Sequence, residues 1–94
     1  NKPEKLAYQI LLQAGYLVEK PRRTKWLPQD FFYCWDFIAV NNEHIRFIQV
    51  STQYFSSRPK EYQERLKNFP KPPNTTKEYW RYNKKSKSFV IQLL

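Results

Sequence analysis

The segment that most constrains this fold is Asp36-Phe-Ile-Ala-Val40, then Asn41-Asn-Glu-His44, then Ile45-Arg-Phe-Ile-Gln-Val-Ser-Thr52. Residues 31–40 are almost continuously apolar, with Asp36 the one charged residue among them. Such a run predicts a central strand covered on both faces. The Asn-rich segment carries a turn signal and the β pattern resumes after it, so the two runs predict a hairpin. With Asn42 and Glu43 as the turn residues, Asp36 lies directly opposite Gln49. Strand alternation then sets Gln49 and Ser51 on one face and Val50 on the other. An acid within an apolar strand needs a partner, because burying an unpaired carboxylate costs several kcal/mol. A divalent cation is one candidate partner, and a buried arginine or lysine is the other.

The rest of the chain supplies elements to pack around this hairpin. Asn1 and Glu4 form a capping-box arrangement, and Leu6, Ala7, Ile10, Leu11 and Ala14 recur at helical spacing, predicting a helix over 2–14. Gly15, the only glycine, falls where a helix C-terminus favours a left-handed residue. Residues 16–20 read as a strand ended by Pro21, and Arg22-Arg-Thr-Lys25 with Trp26 and Pro28 as a basic loop. Ser56-Ser-Arg-Pro-Lys60 predicts a second helix to about Asn68, with serine as cap and proline in the first turn. After the proline-stiffened 69–74 connection, residues 77–82 and 88–93 read as strands around a Lys84-Lys-Ser-Lys87 turn. The expected order is α-β-β-β-α-β-β, an α/β (α+β) domain with helices packed on a mixed sheet, occupying all of residues 1–94.

Charge narrows the function. Seventeen Lys and Arg against eight Asp and Glu leave a net charge of +9, an electrostatic footprint for a polyanion, of which nucleic acid is the foremost case. Lys20, Arg22, Arg23, Lys25 and Arg58, with Lys71, Lys77, Arg81, Lys84, Lys85 and Lys87 in the C-terminal third, are the expected phosphate contacts. Exposed aromatics among the seven Phe, seven Tyr and three Trp could stack on unpaired bases, although a domain this small needs most of them for its core. No zinc-finger, helix-turn-helix or ribonucleoprotein signature indicates sequence-specific base reading. No apolar run approaches the ~20 residues that cross a bilayer, so no membrane partner is expected. Cys34 is alone, which excludes a disulfide framework within one chain. An intracellular setting is expected, the cytoplasm or a host's cytoplasm for a viral protein. His44, the only histidine, sits in the turn and supports no His-based site.

The order of elements, Glu4 on the first helix, Asp36 heading Asp-Phe-Ile-Ala-Val, and Phe-Ile-Gln-Val-Ser one hairpin later resemble the PD-(D/E)XK nuclease superfamily (restriction-endonuclease-like). The likeness is closest to its small branch of archaeal Holliday-junction resolvases and related phage and archaeal endonuclease-like proteins. It spans nearly the whole chain, including Glu78-Tyr-Trp-Arg-Tyr82 before the final strand.

What the resemblance implies is a metal site of acids from adjacent strands, a helix glutamate and a lysine. Asp36 matches the metal-binding aspartate and Glu4 the first-helix glutamate. Gln49 stands where a second acid is expected and Ser51 where the lysine is expected. The acids would hold Mg²⁺ or Mn²⁺, which polarises the scissile phosphate and activates water, and the lysine would stabilise developing charge. Gln49 keeps a carbonyl oxygen for the metal but brings no charge. Ser51 cannot replace an ammonium, and Lys60, at the start of the second helix, is the candidate to supply it or else an ordinary solvated residue. Asp30 could add a carboxylate or cap the entry to the strand.

The expected activity is therefore endonucleolytic hydrolysis of junction or branched DNA, with no organic cofactor, and by a homodimer where the substrate has two-fold symmetry. The alternatives are a degenerate nuclease fold that only binds DNA, and a small basic structural protein.

Overall fold

The computed structural model describes residues 1–22, 26 and 30–94. Arg23, Lys25 and Pro28 lie outside the described residues. The chain is a mixed α+β protein in which α1 (Lys2–Gln13), β1 (Leu17–Glu19), β2 (Phe37–Val40), β3 (Ile45–Ser51), α2 (Lys60–Asn68), β4 (Thr75–Asn83) and β5 (Ser88–Leu93) follow in order. The five strands form one sheet in sequence order. β3 and β4 run parallel, joined through a 3₁₀ turn (Phe55–Ser57) and α2, and the other neighbours are antiparallel. A parallel pair needs such a crossover, and a helix usually provides it.

Local chemistry sets the ends of α1. Asn1 Oδ1 accepts from the Glu4 N–H at 3.1 Å. At the other end the Gly15 N–H donates to Leu12 O and the Tyr16 N–H to Leu11 O, with Gly15 at φ +90°. This is the Schellman pattern, whose left-handed residue glycine adopts without a Cβ clash. Ala7 and Leu11, four residues apart, bury one stripe of α1 against Phe37, Ala39, Ile48, Val50 and Trp80. The opposite sheet face is covered by α2 through Tyr62 and Leu66, packed with Tyr79, Phe55, Cys34 and Trp35.

The second helix starts differently from the serine-capped expectation. Ser56 and Ser57 belong to the 3₁₀ turn, Pro59 occupies the N-cap position, and no side chain caps the helix. Pro59 forces Arg58 into extended backbone (φ −76°, ψ 157°), so the chain cannot turn helical until Lys60. At the C-terminus, Lys77 Nζ donates to Leu66 O at 2.8 Å and Phe69 O at 2.9 Å, and also to Lys67 O. Lys77 is therefore a buried helix cap and not the phosphate contact expected of it.

The run at 31–40 is not one strand. Pairing begins only at Phe37, and residues 31–35 form a tight turn closed by an isolated bridge between Phe31 and Trp35. Phe31 N–H donates to Trp35 O, and Cys34 and Trp35 N–H both return to Phe31 O. Cys34 and Trp35 are buried against α2, while Phe32 and Tyr33 stay exposed at positive φ. Apolarity reflects this docking onto α2 and the sheet face it covers, which a strand and a folded-back turn satisfy equally well.

Candidate functional site

The hairpin register is the expected one from Val40↔Ile45 to Phe37↔Ile48, with Asn41 Oδ1 holding the turn through Glu43 and His44 N–H groups. It slips at Asp36. The Asp36 N–H donates to Ile48 O at 2.8 Å, although Ile48 is already the partner of Phe37. Two residues thus face one, the arrangement of a β-bulge, and a bulge re-aims the side chain at its start. Asp36 does not sit squarely opposite Gln49. Its carboxylate turns toward α1 and Glu4, and its Oδ2 accepts the Val50 N–H at 2.9 Å.

Two adjoining clefts result. The first, about 560 Å³, is lined by Asn1, Glu4, Lys5, Lys20, Pro21, Asp30, Asp36 and Phe37. Three carboxylates, from α1, from the segment before the tight turn and from the bulge, open into it. The second cleft, about 330 Å³, holds Gln49, Ser51, Thr52, Gln53 and Arg58 and shares Asn1 with the first. Glu4 and Asp36 come together as expected, and Asp30 joins them. Gln49 and Ser51 lie next door.

Asp36 is about nine-tenths buried, and among the described residues no cation pairs with it. Burial, reinforced by the Asp30 and Glu4 carboxylates, pushes its pKa up to about 8 against the opposing pull of the Val50 N–H. Near neutral pH the carboxyl keeps its proton, within a hydrogen bond to Glu4. Gln49 presents a second unmet demand. Its Nε2 reaches Val50 O at 3.5 Å, while its buried Oε1 has no hydrogen-bond partner. An orphaned buried carbonyl oxygen is costly unless something donates to it or coordinates it.

The cation beside Ser51 is Arg58, not Lys60. Arg58 Nη1 donates to Ser51 Oγ and to Tyr79 Oη, each at 3.3 Å, and the guanidinium lies 3.8 Å over the Tyr62 ring. Tyr79 Oη in turn donates to Gln53 O at 2.8 Å. This framework fixes the guanidinium at the end of β3 and leaves further N–H donors facing the cleft. Lys60 opens α2 as an exposed residue. The signal that could have located Arg58 is Pro59, which bars it from the helix and leaves it in the loop at the strand's end.

Strand directions gather the basic residues. β1, β3 and β4 point the same way, so Lys20, Ser51, Arg81 and the Lys84–Lys87 turn all lie at one end of the sheet, where Asp36 immediately precedes β2. Lys84 and Lys85 are exposed there, Arg22 follows β1, and Lys20 Nζ sits 4.3 Å over the Tyr8 ring beside the acidic cleft. Lys71 belongs to the opposite end, where its Nζ meets Leu94 O.

The donors fit a hard divalent cation. All are oxygens, and Mg²⁺ characteristically retains several waters and takes only one or two protein carboxylates. Among the described residues no group of three His, Cys, Asp or Glu side chains is arranged to hold a metal ion, so any such cation would rest on Asp36 and Glu4 with water completing its shell. Comparison of the chain with known protein families, curated proteins and solved structures gives no match.

Proposed function

We propose that the protein is a divalent-metal-dependent endonuclease of the PD-(D/E)XK type that hydrolyses phosphodiester bonds in branched or otherwise irregular DNA. The observation that carries this reading is Asp36. It is a buried carboxylate held by a bulge, beside Glu4 and Asp30, and among the described residues no cation forms an ion pair with it. A structural acid would be paired, and the half-buried Arg46 is spent elsewhere, on Glu78.

Asp36 and Glu4 would hold Mg²⁺ or Mn²⁺, whose chemistry is to polarise a phosphate oxygen and lower the pKa of water. Arg58, fixed by Ser51, Tyr79 and Tyr62, would bind a phosphate oxygen at the neighbouring cleft, in the role expected of a lysine at position 51. Gln49 Oε1 would accept a hydrogen bond from water or from the strand. Lys20, Arg22, Arg81, Lys84 and Lys85 would carry the flanking phosphates.

Two features favour a second reading, in which the fold binds DNA without cutting it. Gln49 brings no charge, and Gln49 and Asp36 line separate clefts. Incubating the chain with a panel of junction, flap and duplex DNA in Mn²⁺ decides between the readings. The nuclease reading expects cleavage that Asp36→Ala abolishes. Cleavage that persists in Asp36→Ala removes this site, and tight binding without cleavage in any metal selects the binding module.

A further inference from the structure

Phe32 and Tyr33 adopt φ of 56° and 61°. Left-handed backbone is uncommon for non-glycine residues, and two bulky aromatics in succession accept local strain. Their side chains do not repay it by burial, since Phe32 is 65% and Tyr33 63% exposed. Glycine or asparagine would relieve the backbone and present less apolar surface to water. The turn is nevertheless held firmly. The Phe31–Trp35 bridge closes it, Trp35 anchors it edge-on to Phe69, Phe32 packs 5.4 Å from the Phe69 ring, and Arg65 Nε donates to Tyr33 O at 3.2 Å.

Both feet of this turn stand in the acidic cleft. Asp30 and Asp36 flank it and line that cleft, so at most about 14 Å of backbone separates either aspartate from Phe32 and Tyr33. Arg65 is exposed at the base of the turn, where its Nε donates to Tyr33 O, its guanidinium neighbours the Cys34 thiol and it lies 5.5 Å over the Tyr62 ring, so its positive charge is held at the surface beside the turn.

We propose that Phe32 and Tyr33, with Arg65, form a stacking platform for unpaired bases of a nucleic-acid strand whose phosphates pass the Asp30–Asp36 cleft. The occupant has to present flat π faces and negative charge together, and an unpaired strand does both. A second copy of this chain does not, because each copy carries +9. The platform makes single-stranded or frayed DNA the preferred substrate class of the proposed nuclease, and it rests on that reading only for the path of the phosphates.

The test avoids cleavage. A short single-stranded oligonucleotide containing 2-aminopurine, and the same sequence as a blunt duplex, are titrated with the whole chain at low salt in EDTA. Wild type should quench the single strand and bind it more tightly than the duplex. Phe32→Asn/Tyr33→Gly, whose residues suit positive φ, should keep or raise the melting temperature while weakening single-strand binding roughly 10- to 100-fold. Its duplex affinity should be unchanged, and Arg65→Ala should weaken single-strand binding while preserving the quench. Equal losses on both DNAs, no loss on either, or absent quenching in wild type would each overturn the platform. So would unchanged DNA binding with an altered oligomeric state, which would assign the rings to self-association. None of these outcomes depends on whether Asp36 supports cleavage, which the Mn²⁺ assay reads separately.

Discussion

Glu78 and Asp36 are both buried acids in the same sheet, and they are treated in opposite ways. Glu78, on β4, receives Arg46 Nε and Nη2 at 2.7 Å each, the Trp80 Nε1–H at 2.9 Å and the Thr76 hydroxyl. Burial would raise its pKa, yet these donors outweigh burial and hold it below the ordinary glutamate value. Arg46 is itself sandwiched over the Tyr16 and Trp80 rings. Asp36 receives one backbone N–H and faces two further carboxylates. The chain can compensate a buried acid fully and does so at Glu78. Among the described residues Asp36 has no cationic partner, and such a group weakens the fold unless a ligand completes it, which is the part the proposed metal would play.

The largest effect expected from this contrast is on stability. Arg46→Ala leaves Glu78 buried and unpaired and should destabilise the chain by about 3–5 kcal/mol in urea denaturation at pH 7. A loss below about 1 kcal/mol would show that the pair is not the keystone described here.

Next is Asp36→Asn, which keeps an acceptor for the Val50 N–H and removes the ionisable proton. In the folded chain Asp36 holds its proton to about pH 8, whereas the unfolded chain releases it near pH 4. Folding thus takes up a proton between those values. The contribution is full below about pH 4 and is lost as pH rises to about 8. Asp36→Asn should therefore be more stable than wild type by roughly 2–4 kcal/mol at pH 9 and indistinguishable at pH 4. Glu78 has the reverse sign. Its contribution is present above the unfolded glutamate value and is lost as pH falls through its lowered folded value, so Glu78→Gln should flatten the acid limb of the stability profile.

A smaller effect comes from metal. Mn²⁺ at ten times its dissociation constant at pH 7 should stabilise wild type by about 1.4 kcal/mol, and the same concentration should stabilise it more at pH 8 than at pH 6 because binding displaces the proton of Asp36. Asp36→Asn should show no such stabilisation in calorimetry, and Glu78→Gln should retain it. Equal stabilisation of both variants would erase the distinction between the two acids.

The smallest effect separates the two ends of the sheet. Replacing Lys84 or Lys85 by Gln, at the Asp36 end, should reduce the slope of log affinity for DNA against log salt by about 1 each. Lys71→Gln, at the far end, should leave that slope unchanged, and none of the three should alter the melting temperature.

Much of this was legible along the chain where the signal is local. Asn1 and Gly15 bracket α1, the Asn41–His44 turn sets the hairpin, and Asn83 Oδ1 holds the Lys84–Lys87 turn through the Lys85 and Ser86 N–H groups. Asp36 was also visible, as an acid interrupting an apolar run. The 31–35 turn was not, because Phe32 and Tyr33 take left-handed backbone without the glycine or asparagine that usually announces it. Arg46 offers a retrospective clue. It alternates with Ile48 and Val50 on the α1 side, so it needed an acid partner across the sheet.

The amino-acid sequence by itself determined both helices, the hairpin and the order of the elements, and it exposed Asp36 as an acid within an apolar run, since caps, turns and strand alternation act within a few residues. Only the tertiary structure decided which acid would be paired with a cation. Glu78 lies 32 residues from Arg46 and meets it across a parallel ladder, whereas the slip at Asp36 turns that carboxylate away from Gln49 and toward Glu4 on α1. Charge compensation depends on distances of a few ångströms between strands. A one-residue change of register, invisible in the order of residues, is enough to leave Asp36 without an ion-pair partner among the described residues at the mouth of a cleft.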